Sequence, residues 1–378
     1  MKNGWEIKRL GDVCKTGAGG TPLKVHRDYY EGGSIPWLLS GEVSQGEIFE
    51  ARNFITEKGL QNSSARMFPT NTVLVAMYGA TAGQVGILRF EACTNQAVCG
   101  ILPNENTVPE FLYYFFVLKK DDLISQAVGG AQPNISQIKI KNTLTPVPPL
   151  AEQKRIVAIL DEAFEAIDKA KQNAEKNLQN ARELFESYLQ NMFANPGDDW
   201  EEKKFSEICT NLDSRRKPVT KRDREAGEYP YYGASGIVDY VSDYLFDEDL
   251  LLVSEDGANL LARTYPIAFS ITGKTWVNNH AHALRFDNPA TQKFTEYYLN
   301  SIRLNDCVSG MAQPKLNQAM LNSIPVPFPK VETQERIVSH FDALGVESKS
   351  LERIYSQKIA GLDQLKKSIL QKAFNGEF

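Results

Sequence analysis

From Glu152 to Phe193 the chain carries no glycine and no proline, and its apolar positions keep a single rhythm. Apolar or small residues return at Ile156, Leu160, Ala163, Ile167, Ala170 and Ala174 in alternating steps of four and three, then at Leu178, Ala181, Phe185, Tyr188 and Met192. Polar and charged residues fill the positions between. That spacing predicts one unbroken helix with a narrow apolar seam, the pattern of a helix that pairs with another. At 1.5 Å per residue, about 42 residues make a helix roughly 63 Å long, more than a compact domain needs. The C-terminal stretch repeats the rhythm at Ile337, Phe341, Leu344, Ser348, Leu351, Tyr355, Ile359, Leu362, Lys366, Ile369 and Ala373, with breaks in apolar character at Ser348 and Lys366. Both helices open alike: in PVPPLAEQKRIVAILD and PFPKVETQERIVSHFD proline ends the preceding structure, and Glu152 and Glu332 lie near the positive end of the helix dipole.

The remaining residues are patterned as two α+β heads. In residues 1–150, β-like runs at 72–80 (TVLVAMYGA) and 83–88 (GQVGIL) precede an aromatic helix at 109–121 (PEFLYYFFVLKKD), apolar enough to be a core helix. Residues 196–331 keep that order with DLLLVSED at 249–256, PIAFSI at 266–271 and FTEYYLNSI at 294–302. The expected organisation is therefore a head at 1–150, a central helix at 151–195, a second head at 196–331 and a terminal helix at 332–378.

The two halves are copies at their ends. WEIKRLGDVC from Trp5 returns as WEEKKFSEIC from Trp200, and the turn GGAQPNIS at 129–136 returns as GMAQPKLN at 310–317. A constant shift of 181 then places Gln153, Arg155, Ile156, Val157 and Asp161 on Gln334, Arg336, Ile337, Val338 and Asp342, and Leu184, Ser187, Leu189, Gln190 and Phe193 on Leu365, Ser368, Leu370, Gln371 and Phe374. The middles differ in sequence and length. Each seam is the natural partner of the other, and the short link Ala194–Gly197 opens the second head at the far end of the first helix. A head of this size, with a radius of gyration near 14 Å, does not carry the chain back along that length, so the pair is expected to be antiparallel and pseudo-twofold. Two heads held apart by such a pair suit a bipartite duplex, whose helical turn is about 34 Å.

Composition narrows the class. Hydrophobic residues make up 42% and charged residues 24% of the 378, which is ordinary for a soluble globular chain. No stretch has the pattern of a signal peptide or a membrane span, so a cytoplasmic location is expected. Five cysteines with no CxxC pair read as free thiols. A net charge of -5 excludes a chain coated in positive charge, leaving local basic clusters as the place for any nucleic acid.

One such cluster is LDSRRKPVTKRDREAG at 212–227, where Arg215, Arg216, Lys217, Lys221, Arg222 and Arg224 outnumber their acidic neighbours. Such residues position phosphates or bind guanine bidentately. Polar groups on or beside strands supply further candidates for base contact: Arg263, Lys274, Asn278, Asn279 and His280 in the second head, and Gln84, Arg89, Asn95 and Gln96 in the first. The same side chains would equally serve as internal ties or a solvated loop. No catalytic constellation is present: GxGxxG, a Walker loop, the Asn/Asp-Pro-Pro-aromatic motif, HExxH and paired CxxC are all missing from the sequence. His280 and His282, two apart on a strand, point to opposite faces, and no metal site is expected.

Over nearly its full length the chain resembles the specificity subunits of type I restriction-modification systems. The resemblance rests on the repeated helix openings, on TGAGGTPLKVHRDYYEGGSIPWLLSGEV at 16–43, on YPYYGASGIVDYVSDYLFD, EDGANLLAR and GKTWVNNHAHAL in the second head, and on the terminal LKKSILQKAFNGEF. It implies a non-catalytic chain whose two target recognition domains each read half of a split double-stranded DNA site while the helices form a coiled coil that sets the spacer. It implies two modification subunits as partners, with restriction subunits joining to make an ATP-dependent nuclease. S-adenosylmethionine, ATP and Mg are then expected on those partners, with no cofactor on this chain. TNQA at 94–97 is matched with NNHA at 278–281, so the two half-sites are expected to differ. The rival reading is a duplicated coiled-coil scaffold that joins two protein partners without reading DNA.

Overall fold

The computed structural model describes residues 4–126, 134–310 and 313–378. Gly129 to Pro133 of the first repeated turn, and Met311 and Ala312 of the second, lie outside the described residues. Two compact units form, one from Met1–Asn173 with Lys358–Phe378 and one from Ala174–Gln357, so each unit holds one head and a segment of both long helices. Among the described residues no helix is long and apolar enough to cross a membrane.

The repeated ends meet in space. Strand β1 (Glu6–Arg9) pairs antiparallel with β10 (Leu144–Val147), which carries the proline-rich repeat. In the second unit β11 (Glu201–Lys204) pairs in the same way with β20 (Pro325–Phe328). Prolines fit these two-stranded ribbons because an edge strand has N–H positions to spare. The start and finish of each head are thus zipped together, and the long helix leaves directly from the zipper.

Inside the first head, β2 (Thr16–Ala18), β9 (Val98–Ile101), β6 (Val73–Ala76), β7 (Val85–Leu88) and β4 (Glu47–Ile48) form one sheet in that order, and β5 (Phe54–Ile55), β3 (Ile35–Leu38) and β8 (Cys93–Thr94) form another. The second head builds β12 (Thr210–Asn211), β19 (Ala281–Arg285), β16 (Leu250–Ser254) and β17 (Ala268–Ile271) into one sheet, and β14 (Gly236–Val241), β13 (Ala226–Gly233), β18 (Lys274–Val277) and β15 (Phe246–Asp247) into the other. The parallel pair β3/β8 has its counterpart in β13/β18. The expected aromatic helices are Pro109–Ser125 and Pro289–Ser301, each with proline in its first turn. Phe111, Leu112, Phe115 and Phe116 are buried, as a core helix requires.

The long helices run Leu150–Ala194 and Val331–Asn375, 45 residues each. In the first unit Asp168 meets Lys366 at 2.9 Å and Lys171 meets Asp363 at 2.8 Å, so a rise along one helix is a fall along the other. In the second unit Arg182 meets Glu352 at 2.9 Å while Tyr188, further along the first helix, lies against His340, further back on the other, and Ser348 donates to the Ala181 carbonyl at 2.9 Å. The pairing is antiparallel in each unit. The two breaks in the second seam are filled contacts: Ser348 bonds the facing backbone, and Lys366 reaches Asp168 while lying 4.6 Å over the Phe164 ring.

Seam residues near the helix ends enter the head cores. Ile156, Leu160 and Ile167 are buried in the first core with Leu370, Ala373 and Phe374 from the other helix, and Leu362 and Ile369 pack against it. Ile337 and Phe341 enter the second core with Leu189 and Phe193, with Phe185 and Leu344 packed against it. Leu178, Leu351, Tyr355 and Ile359 stay half-buried along the helices. Tyr188 departs from the expected seam: it is 44% exposed and lies tilted against His340 at 5.4 Å, while Leu189 takes the buried place. A straight helix turns every 3.6 residues and drifts by about 20° per heptad against a 3.5 repeat, which brings the next residue inward by this point.

The duplicated polar residues make duplicated contacts. Gln153 is buried, donates to the Pro148 carbonyl at 2.9 Å and accepts from the Val108 N–H at 2.9 Å; Gln334 donates to the Pro329 carbonyl at 2.8 Å and accepts from Thr291 at 2.7 Å. Tyr114 donates to Asp161, and Tyr297 to Asp342, each at 2.5 Å. Each long helix is therefore tied to the helix of its head at matching points. Phe374 packs on Phe111 at 5.0 Å, so Phe374→Ala should lower stability by about 3–5 kcal/mol, measured by denaturant unfolding of the full chain. Tyr188→Ala, at an exposed position, should change it far less.

Candidate nucleic-acid interface

In the second head one fastening of the basic loop to the sheet is at Lys217. Lys217 donates its N–H to the Val277 carbonyl at 3.3 Å, and its carbonyl accepts from Trp276 Nε1 at 2.7 Å. The first head repeats this with Gly20, which donates to the Thr94 carbonyl at 2.9 Å and accepts from Trp37 Nε1 at 3.0 Å. Thr94 and Val277 end equivalent parallel strands, each paired with the same place on its neighbour. Counted from these anchors, TPLKVHR at 21–27 corresponds to PVTKRDR at 218–224, and Lys24 to Lys221. Glycine is required at the neighbouring position 19, because a Cβ there would collide with the Thr94 and Asn95 carbonyls.

Beside each loop lies a turn built by asparagine. Asn95 donates its N–H to the Leu38 carbonyl at 2.9 Å while its side chain accepts from the Ala97 N–H at 3.2 Å; Asn278 does the same toward the Tyr232 carbonyl at 3.0 Å and the His280 N–H at 2.8 Å. Asn95 is thus the counterpart of Asn278, one residue out of register with the matching of TNQA to NNHA. The outward residues of the two turns are Gln96 and Asn279, both exposed. Gln96 accepts from Thr21 on the adjacent loop, and exposed His280 contacts Asp256 at 2.8 Å.

The structure sorts the candidate cations into two sets. Arg216 is an internal tie, 2.7 Å from Glu255, 3.2 Å from Asp213 and bonded to the Ala281 carbonyl. Arg224 binds Asp239 at 3.0 Å and lies 4.3 Å over the Tyr231 ring, holding the Asp239 carboxyl below its usual range. Arg215 binds Glu248 at 2.7 Å and lies over Phe246. Arg263 donates to the Leu299 and Ile302 carbonyls at the end of the head helix. In the first head Arg89 is held by Glu47 and by Glu110 at 2.6 Å. Lys274 is exposed and lies 4.8 Å over Tyr244, and Gln84 is half-buried in the turn before β7. Lys217, Lys221 and Arg222 are exposed and make no salt bridge or side-chain hydrogen bond among the described residues.

The first head's own basic loop was missed by sequence reasoning. Lys24 and Arg27 are exposed and make no salt bridge among the described residues, and His26 stacks on Tyr29 at 4.7 Å. The signal was present as KVHR at 24–27, directly after a Gly-Gly-Thr-Pro turn. With three such residues it is a sparser run than RRKPVTKRDR and stands out only when the two anchors are compared.

Beneath the second head's loop lies a buried charge network. His282, 1% exposed, places Nδ1 2.5 Å from Asp213 and Nε2 2.7 Å from the Leu316 carbonyl, so both ring nitrogens face acceptors. Burial works to raise the Asp213 pKa, but His282, the Ala283 N–H and Arg216 together hold it below the usual carboxylate value. Asp213, Glu255 and His282 bring ligand atoms within 4.8 Å of one another, the spacing of a metal cluster. Arg216 already supplies the cation there, binding both carboxylates, and Lys315 adds a second at 3.3 Å from Glu255. Burial, and after it the Asp213 carboxylate nearby, push the Cys209 thiol up to about 12.

The profile of the type I restriction modification DNA specificity domain matches residues 2–177 and 197–359. A putative type I restriction enzyme specificity subunit of Haemophilus influenzae is 34% identical over 167 residues, covering 44% of this chain and 41% of that protein. The EcoR124I/EcoR124II specificity subunit of Escherichia coli is 26% identical over 196 residues, covering 50% of this chain and 48% of that one. The chain thus spans a little under half the length of these curated relatives. A chain solved in work on assembly and conformational transition of a type I R-M system has the same fold, with a TM-score of 0.81 at 20% identity over 100% of this chain and 99% of that one.

Arg216→Ala would remove the guanidinium that Asp213 and Glu255 share, leaving the part-exposed Lys315 on Glu255, and should destabilise the chain by about 3 kcal/mol, while Lys221→Ala should leave the unfolding midpoint in place. Because the folded pKa of Asp213 is depressed, its stabilisation is present at neutral pH and lost as pH falls through that lowered value. Denaturant unfolding from pH 7 downward should therefore show a steeper acid loss for the native chain than for Asp213→Asn.

Proposed function

We propose, starting from the fact that this chain belongs to the type I restriction-modification DNA specificity family, that it is the DNA-recognition subunit of such a system. It carries no catalysis of its own. Each head reads one half of a bipartite duplex site, and the two long helices set the spacer and dock two modification subunits. Those partners bind S-adenosylmethionine and methylate adenine, and restriction subunits bring ATP and Mg for cleavage.

The observation that carries this reading is the duplicated loop and turn. Two heads with divergent sequences present, from equivalent backbone anchors, cations that make no salt bridge among the described residues beside an outward amide: Lys24, Arg27 and Gln96 in one, and Lys217, Lys221, Arg222 and Asn279 in the other. Cations on a fixed loop neutralise phosphates and set register, while glutamine and asparagine present paired donor and acceptor atoms suited to adenine. Arg89, Arg215, Arg216, Arg224 and Arg263 act from behind as ties that hold the loops and strands in place. Asn95 and Asn278 shape the turns, and His280 and Lys274 flank the second one. Because Gln96 and Asn279 differ, and the loops around them differ, the two half-sites differ.

Base-resolved sequencing of DNA from cells carrying the modification subunits should find adenine methylation at one new split motif only when this chain is present; an unchanged methylome would overturn the reading. In vitro, replacing Lys217, Lys221 and Arg222 with alanine should weaken duplex binding and flatten its dependence on log salt by about 0.9 for each phosphate no longer neutralised. Inserting one or two residues into both long helices should abolish the original motif, and whole-turn insertions should change its spacer.

A further inference from the structure

We propose that Leu23 and Val25 form an apolar wedge that enters a base step of the DNA bound by the first head, an inference that rests on the recognition reading above. Leu23 is 63% exposed and Val25 82% exposed, although both sit on a tightly fastened loop. Gly20 is held at both backbone groups, Thr21 bonds Gln96, and the Tyr30 hydroxyl donates to the Pro22 carbonyl at 2.5 Å. At the tip the His26 N–H closes a turn on the Leu23 carbonyl at 3.0 Å. The two apolar side chains therefore stand in water on a supported base, where they add nothing to the core.

Their neighbours indicate what covers them. Lys24 lies between them and Arg27 follows, both exposed and without a salt bridge among the described residues, while Asp28, the next acid along the chain, is held by Lys58 at 2.5 Å. An apolar surface interleaved with unpaired cations matches a polyanion with an apolar interior, which is the chemistry of a base step between phosphates. Proteins that kink duplexes insert leucine, isoleucine or similar side chains in this way while cations hold the flanking backbone. Gln96 on the adjoining turn places the wedge next to the candidate base-reading residue.

The second head serves as an internal control. Counted from Lys217, the positions of Leu23, Lys24 and Val25 are taken by Thr220, Lys221 and Arg222. The cation is kept and both apolar side chains are replaced, with Thr220 bonded to Asp223 at 2.6 Å. Distortion of the duplex by this loop is accordingly confined to the first half-site.

The test uses the full chain in its methyltransferase complex, bound to duplexes carrying 2-aminopurine at successive positions of the motif. Apart from the target adenines, which the modification subunits turn out of the stack in either half-site whether or not the wedge is present, the wild-type complex should brighten the probe at one further step of the first half-site and at no further step of the second. Leu23→Ala/Val25→Ala should reduce that enhancement by about threefold or more and lessen the bend read by end-to-end energy transfer. Lys24→Ala should weaken binding with a flatter salt dependence while keeping the probe signal. Bound duplex with unchanged brightness and bend in the double variant would overturn the wedge alone. Failure of the wild-type complex to bind any duplex would overturn the recognition reading and the wedge with it.

Discussion

Neither head closes its core without the ends of the long helices. The first core contains Ile156 and Leu160 from the start of one helix and Leu370, Ala373 and Phe374 from the end of the other. The second contains Ile337 and Phe341 from a start and Leu189 and Phe193 from an end. Burial of these side chains fixes how each helix leaves its head, and the buried amides of Gln153 and Gln334 fix the same joint by hydrogen bonding. An error in either joint would leave large apolar groups in water, so the helix direction is determined together with the folding of the head.

This arrangement separates what must be constant from what must vary. The joint residues are repeated in both halves because they make the same contacts twice. The loops beyond them are supported by backbone bonds, which tolerate a change of side chain. Gly20 and Lys217 hold equivalent positions through N–H and carbonyl groups alone, so the residues displayed after them can change without loss of the anchor.

Beneath the loops the two heads use different chemistry for the same support. Met77 and Cys99 lie buried in the first head, whereas the equivalent strand positions in the second are Glu255 and His282, joined by Asp213 and Arg216. Apolar packing tolerates small shifts of its parts. The ionic network does not, because each buried charge needs its partner within hydrogen-bond distance. The richer basic loop therefore stands on the more exacting foundation, which also accounts for the arginines that turn inward: their charge serves the fold before any ligand arrives.

The sequence by itself determined the long-range plan. Period 3.5 with no Gly or Pro from 152 to 193 forces a seamed helix, and a repeat at constant shift makes that helix the partner of its copy, because both features depend only on local spacing. The aromatic core helices were legible for the same reason. Composition could not separate Arg216 and Arg224 from Lys221 and Arg222, since all lie in one charged run and only the placement of Glu255, Asp213 and Asp239 from distant strands divides ties from free cations. Nor could it place Leu189 ahead of Tyr188, which follows from helical drift against a particular core, or Asn95 opposite Asn278, which follows from strand register. Those were decided by tertiary structure, because each depends on a neighbour that the chain brings back from far along its length.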